Sequence, residues 1–137
     1  METRICLKIN DCSHEIIRNE DQRICYNRTA IRTKFNHIYR GSFNKGNEKL
    51  DDYKLFHVYY KDEDIMAIEF FKPCILCFGD FTMIGRKLEE CYCYFVDKDP
   101  NLLCEKDIGF ISKKYQIGVF APSGIIESVL VGSKDYY

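Results

Sequence analysis

Two runs rich in β-branched and aromatic residues, "YKLFHVYY" at 53–60 and "IMAIEFF" at 65–71, flank the charged tetrapeptide "KDED". Side chains of a strand alternate between faces, and a short charged interruption between two such runs predicts a β-hairpin. No Asn-Gly or Asp-Gly dipeptide selects its turn type. Pro73 ends the second run or forces a bend, because proline cannot donate to a sheet ladder. "CILCF" then begins a third strand that stops at Gly79.

The same reasoning extends to both ends of the chain. "RICLKI" alternates Ile5, Leu7 and Ile9 against Cys6 and Lys8, as a half-buried strand does. Between Leu102 and Ser133 the glycines and "PSG" at 122–124 punctuate three or four further strands. The last two, "YQIGVFA" and "IIESVLV", form a hairpin. Helices are fewer. Leu88, Cys91 or Tyr92, and Phe95 recur at helical spacing between Gly85 and Asp99-Pro100, predicting a helix from about Arg86 to Val96. "NDCSHEIIRNED" offers Asp11 or Ser13 as an N-cap with Glu15 in the first turn, which predicts a second, short helix carrying Ile16 and Ile17 inward. Residues 27–47 read as an irregular, partly helical connection. The expected fold is α+β: a mainly antiparallel sheet of about six strands with one or two helices, in a single domain over residues 1–137.

With 137 residues, 46% of them hydrophobic, the chain can bury a core without covalent staples. No apolar run is long enough to span a bilayer, and the charges in "METRICLKIND" do not suit a secretory signal, so a cytoplasmic protein is expected. In that compartment the eight cysteines stay thiols and behave as small hydrophobes.

The sequence offers little to catalysis. Cys74 and Cys77 have the spacing of a zinc knuckle or dithiol centre, yet on a strand residues three apart face opposite ways. Cys91 and Cys93, the nearest second pair, diverge by about 200° on a helix. A thioredoxin-type site needs a helix beginning at the first cysteine, and Gly79 opposes one. His14, His37 and His57 come with no local nucleophile signature, and no phosphate-binding glycine pattern occurs. No cofactor or metal is expected. The acids at 51–52, 62–64 and 89–90 suit turns and exposed helix faces. Glu69 in "IMAIEFF" and Glu127 in "IIESVLV" differ, because each interrupts an apolar run and is expected on the solvent face of its strand.

Charge is unevenly distributed. Residues 1–50 hold ten Lys/Arg and six Asp/Glu, whereas 51–137 hold ten and fifteen. The basic strip that begins at Arg18 has Phe35, His37, Tyr39 and Phe43 interleaved, a composition that can hold a single-stranded nucleic acid. No fold signature accompanies it, so a protein partner ranks above nucleic acid. The acidic remainder suits a basic partner.

From Asp51 onward, "DDYKLFHVYYKDEDIMAIEFF", "GFISKKYQIGVFAPSG" and "IESVLVGSKDYY" together resemble bacterial immunity proteins of contact-dependent growth inhibition, over about two-thirds of the chain. The resemblance implies a non-enzymatic protein that binds and neutralises a cognate nuclease toxin domain, by addition of a toxin β-hairpin to the sheet or in a pocket beside it. Its implied contacts are Asp52, Glu69, Phe71 and Glu127, with His57 and Tyr59 behind them. The alternatives are a small hydrolase or nuclease using clustered acids and a histidine, and a zinc or thiol module.

Overall fold

The structure, a computed structural model, describes residues 3–9, 12–18, 23–105 and 108–137. Among the described residues twelve strands and two α-helices form two antiparallel sheets, an α+β arrangement dominated by sheet.

The larger sheet has eight strands. Four come from one continuous meander: β3 (Tyr39–Lys45), β4 (Glu48–Tyr53), β5 (Phe56–Lys61) and β6 (Asp64–Phe71). The other four run in reverse order across the sheet. β12 (Ser128–Gly132) pairs with β6 and is followed by β11 (Ile117–Phe120), β10 (Gly109–Ser112) and β9 (Leu103–Glu105). The smaller sheet has the order β2-β1-β7-β8, built from β1 (Thr3–Ile9), β2 (Cys12–Arg18), β7 (Ile75–Phe78) and β8 (Phe81–Thr82).

One face of the large sheet is the floor of the core. Phe56, Val58, Ile68, Phe70, Val129, Val131, Ile117, Val119 and Phe110 are buried on it, at alternate positions of their strands. Helix α1 (Arg28–Lys34) lays Ile31, with Phe35 just beyond, against Phe56, the two rings meeting edge-on at 5.2 Å. Helix α2 (Leu88–Val96) inserts Cys91 and Phe95, and Cys74, Leu76 and Phe78 close the core from the side of β7. Burying each such large apolar side chain contributes roughly 1.5–3 kcal/mol, which explains why every layer presents its apolar positions to this one volume.

The basic segment after residue 23 is absorbed into this frame. Asn27 caps α1 by accepting the Ala30 N–H at 2.8 Å, and Thr29 donates to Glu63 in the β5–β6 turn at 2.6 Å. Arg28 donates through Nε and Nη2 to both oxygens of the buried Asp51, at 2.8 and 3.0 Å, and covers the Tyr60 ring at 3.9 Å. Arg32 stacks on Tyr39 at 3.6 Å, and Lys34 lies 5.0 Å from the Tyr26 ring centre. Arg28, Arg32 and Lys34 are thus engaged within the chain.

Several expectations are corrected. Strands number twice the six foreseen among the described residues alone. The run at 53–60 is two strands, because the chain turns at Lys54–Leu55 between β4 and β5. Residues 12–18 form β2 rather than a helix: the register from Ile9↔Cys12 to Thr3↔Arg18 makes them the hairpin partner of β1, and this long ladder outweighs a local capping signal. Asp11 lies outside the described residues. The 27–47 connection contains α1 but also β3, an edge strand with Ser42, Phe43 and Asn44 exposed. The 75–78 strand does not extend the main hairpin; it crosses to the small sheet and pairs with β1. Helix α2 and the closing hairpin agree with the sequence reading.

Candidate functional site

The cysteines come first, since their spacing suggested chemistry. Cys74 lies ahead of β7 and joins Leu76 and Phe78 in the core, whereas Cys77 has the opposite parity, with Cys6 and Thr82 as register partners. The Cys74 thiol is pushed up from 9.0 to about 12 by burial, reinforced by Cys77. Burial does the same to Cys91. Thiols so desolvated stay protonated and unreactive. Cys93 and Cys104 are exposed and share a groove with Glu89 and Glu105, but among the described residues no three His, Cys, Asp or Glu side chains converge to hold a metal.

An experiment follows from these values. At pH 8 iodoacetamide is expected to modify Cys25, Cys93 and Cys104 and to spare Cys74 and Cys91 until the chain unfolds, as peptide mass mapping would read. The folded thiols ionise near 12 and unfolded ones near 9.0. Their contribution to stability is therefore complete below pH 9 and is lost as pH rises from there toward 12. Tyr53 and Tyr59, raised by burial from 10.0 to about 12, add to the same alkaline loss.

The face of the large sheet opposite the core is different in character. Register places Asp52, His57, Glu69, Leu130, Gly118, Ile111 and Leu103 in one row across six neighbouring ladders from β4 to β9. His57 Nε2 lies 3.0 Å from Asp52 Oδ1, and its ring meets that of Phe71 edge-on at 4.8 Å. Tyr59, two residues along β5, shares this face. Five of the six residues expected to contact a partner, Asp52, His57, Tyr59, Glu69 and Phe71, thus lie together. Glu127 does not join them. It is exposed in the segment just before β12, and its parity is that of the core-facing Val129. Leu55 precedes β5 and is buried in the core.

The segment after β12 folds back over this outer face. Ser133 donates its N–H to Met66 O at 2.8 Å, and the Tyr137 N–H donates to Gln116 Oε1 at 2.9 Å. Two strand glycines provide the seat. A Cβ on Gly132 would lie 2.7 Å from Tyr136 Cβ, and one on Gly118 would run into Tyr137 Oη. An isolated glycine inside an apolar strand pattern signals such a close approach, so "YQIGVFA" and "VLVGS" held a sign of this seat in the sequence.

The folded-back tyrosines separate two depressions. On the side of β9, a groove of about 400 Å³ is lined by Leu103, Ile108, Phe120, Leu130 and Tyr137, with Glu69 and Glu105 as the charged residues among those described. Leu103, Ile108 and Phe120 are 49, 44 and 44% exposed, an unusual concentration of accessible apolar surface. On the other side, a cleft of about 480 Å³ lies between Tyr59, Met66 and Tyr136. Apart from Glu69, the sequence reading reached none of the residues lining the first groove.

This face can dock a partner through apolar contact and negative charge. Among the described residues no helix is long and apolar enough to cross a membrane. No protein-family model, characterised protein or solved structure matches this chain.

Proposed function

We propose that the protein works by binding: in the bacterial cytoplasm it recognises and neutralises a basic, nuclease-type toxin domain, as an immunity protein does. The observation that carries this reading is the outer-face groove, where accessible Leu103, Ile108 and Phe120 meet a rim whose charges, among the described residues, are the carboxylates of Glu69 and Glu105. Apolar floors supply affinity when covered, and a rim of one sign steers and selects a partner of the other. β9, at the edge of the sheet beside this groove, offers backbone groups for an added strand.

Titration of the chain with the nuclease-type domain encoded beside it is expected to saturate at one to one and to weaken with added salt. Phe120→Asp should weaken it at least about tenfold, as expected for an anchor in an interface. Affinity unchanged by Phe120→Asp, and by Glu69→Ala combined with Glu105→Ala, would move the contact off this face. The competing reading, a small hydrolase or nuclease, draws on the 3.0 Å Asp52–His57 pair. It requires turnover that His57→Ala abolishes, whereas binding requires only a modest change in affinity for that variant.

A further inference from the structure

We propose that β9 and two grooves, one on each face of the sheet beside it, clamp a single extended segment of the partner, apolar on both its faces and carrying a lysine or arginine for Glu105. This rests on the binding function proposed above and specifies the segment that the partner must offer.

The main chain sets the line of the clamp. β9 is the last strand of the large sheet, and among the described residues it pairs with β10 alone. All three of its residues are exposed, and its register from Leu103↔Ile111 to Glu105↔Gly109 is unbroken. The other edge of the same sheet is blunted: β3 has a register shift between Tyr39 and Gly41 and carries Arg40. β9 has neither device. Its three residues offer few main-chain bonds, so side chains beside it must supply most of the affinity.

Both faces beside this edge are apolar. On the outer face lies the groove of Leu103, Ile108 and Phe120. On the inner face Cys104 is the register partner of Phe110, whose ring meets that of Tyr92 edge-on at 6.2 Å. Leu88, Glu89, Tyr92 and Cys93 share one side of α2, and with Cys104 and Phe110 they line a second groove of about 460 Å³. Glu105 lines both grooves, which fixes them to the same edge. Consecutive side chains of a strand added about 4.8 Å beyond β9 would point to the two grooves in turn. A segment apolar on one face would leave one groove uncovered. Charge selects further. The charged residues described in the two linings are Glu69, Glu89 and Glu105, with no lysine or arginine. A basic segment complements them, whereas β9 of a second copy would bring like charges together.

The test uses the intact chain and a nonapeptide in which valines alternate with phenylalanine and tyrosine between two pairs of lysines. Backbone amides of residues 103–105 are expected to shift saturably and to gain protection from hydrogen exchange, with Kd of roughly 10–100 μM. Threonine in place of the aromatic residues, which makes the peptide apolar on one face, should weaken it at least about tenfold. Glutamate in place of the lysines should weaken it at least about fivefold, and N-methylation of the valine amides should abolish protection. Tyr92→Ser, on the exposed side of α2, should weaken the two-faced peptide at least about fivefold with the circular dichroism unchanged. Shifts that do not saturate, equal affinity for the threonine or N-methylated peptide, or indifference to Tyr92→Ser would overturn the proposal. So would pairing of β9 with a second copy of the chain. Peptide capture without toxin binding removes the immunity function alone. Toxin binding that leaves the amides of 103–105 unprotected removes the clamp alone.

Discussion

Replacing Phe95 by alanine is expected to remove about 4 kcal/mol of stability, the cost of deleting a fully buried aromatic ring and leaving its cavity. Phe95 is completely buried on α2, at the point where three layers meet. Its ring lies 5.1 Å from Phe78 of the small sheet, 5.8 Å from Phe110 of the large sheet, and 6.1 Å from Tyr115. Because those neighbours belong to different elements, local collapse cannot refill the space, which places the loss toward the upper part of the usual range. Domains of this size are stable by only about 5–15 kcal/mol, so the variant would retain a small margin. Urea unfolding followed by circular dichroism should show a much lower midpoint with an unchanged slope. A loss under about 1 kcal/mol would mean that α2 does not join the two sheets at this residue.

Arg28→Met is expected to cost about 3 kcal/mol by a different route. Asp51 is wholly buried on the inner face of β4, and its carboxylate accepts from Arg28 Nε and Nη2 and from Ser42 Oγ, the last at 2.6 Å. Tyr39 Oη lies 2.6 Å from Ser42 Oγ, so the network spans α1, β3 and β4. The bond to Asp51 is the main reason that the Arg28 guanidinium is held far above its ordinary pKa. Methionine keeps much of the apolar stem over Tyr60 but leaves a desolvated carboxylate with only the serine hydroxyl. The figure sits at the low end for a broken buried pair because the arginine side chain is 27% exposed. Changing Asp51 to leucine as well should recover part of the loss, since a buried pair replaced entirely by apolar groups loses far less than one broken in half. A double-mutant cycle measures the coupling. Near-zero coupling would show that the two residues do not depend on one another.

Much of the local structure was legible. The 56–71 hairpin, α2 and the final hairpin each declare themselves through a period of 2 or 3.6 over enough residues to stand above noise. Reading failed where the period was short or interrupted. Ser13, Glu15 and Ile16-Ile17 resemble a capped helix start, but the ladder to β1 makes them a strand. β3 was missed because an edge strand, solvated on most sides, has little need of an apolar face.

The candidate site divides in the same way. Alternation within one strand puts His57 with Tyr59 and Glu69 with Phe71, whereas the pairing of β4, β5 and β6 brings these four and Asp52 to one face. Alternation overreached at Glu127, which lies before the strand begins.

Which side of a strand a residue takes is a local matter, decided by the pleat and by each strand's apolar positions, and this much the sequence determined by itself. Which strands become neighbours depends on contacts between distant segments, and no local pattern encodes them. Only the tertiary structure placed β12 against β6 and sent β7 away to β1. It also laid Tyr136 and Tyr137 over Gly132 and Gly118. Those long-range choices convert a row of alternating residues into an acidic, partly apolar face, because a groove exists only where side chains from non-adjacent segments leave space between them.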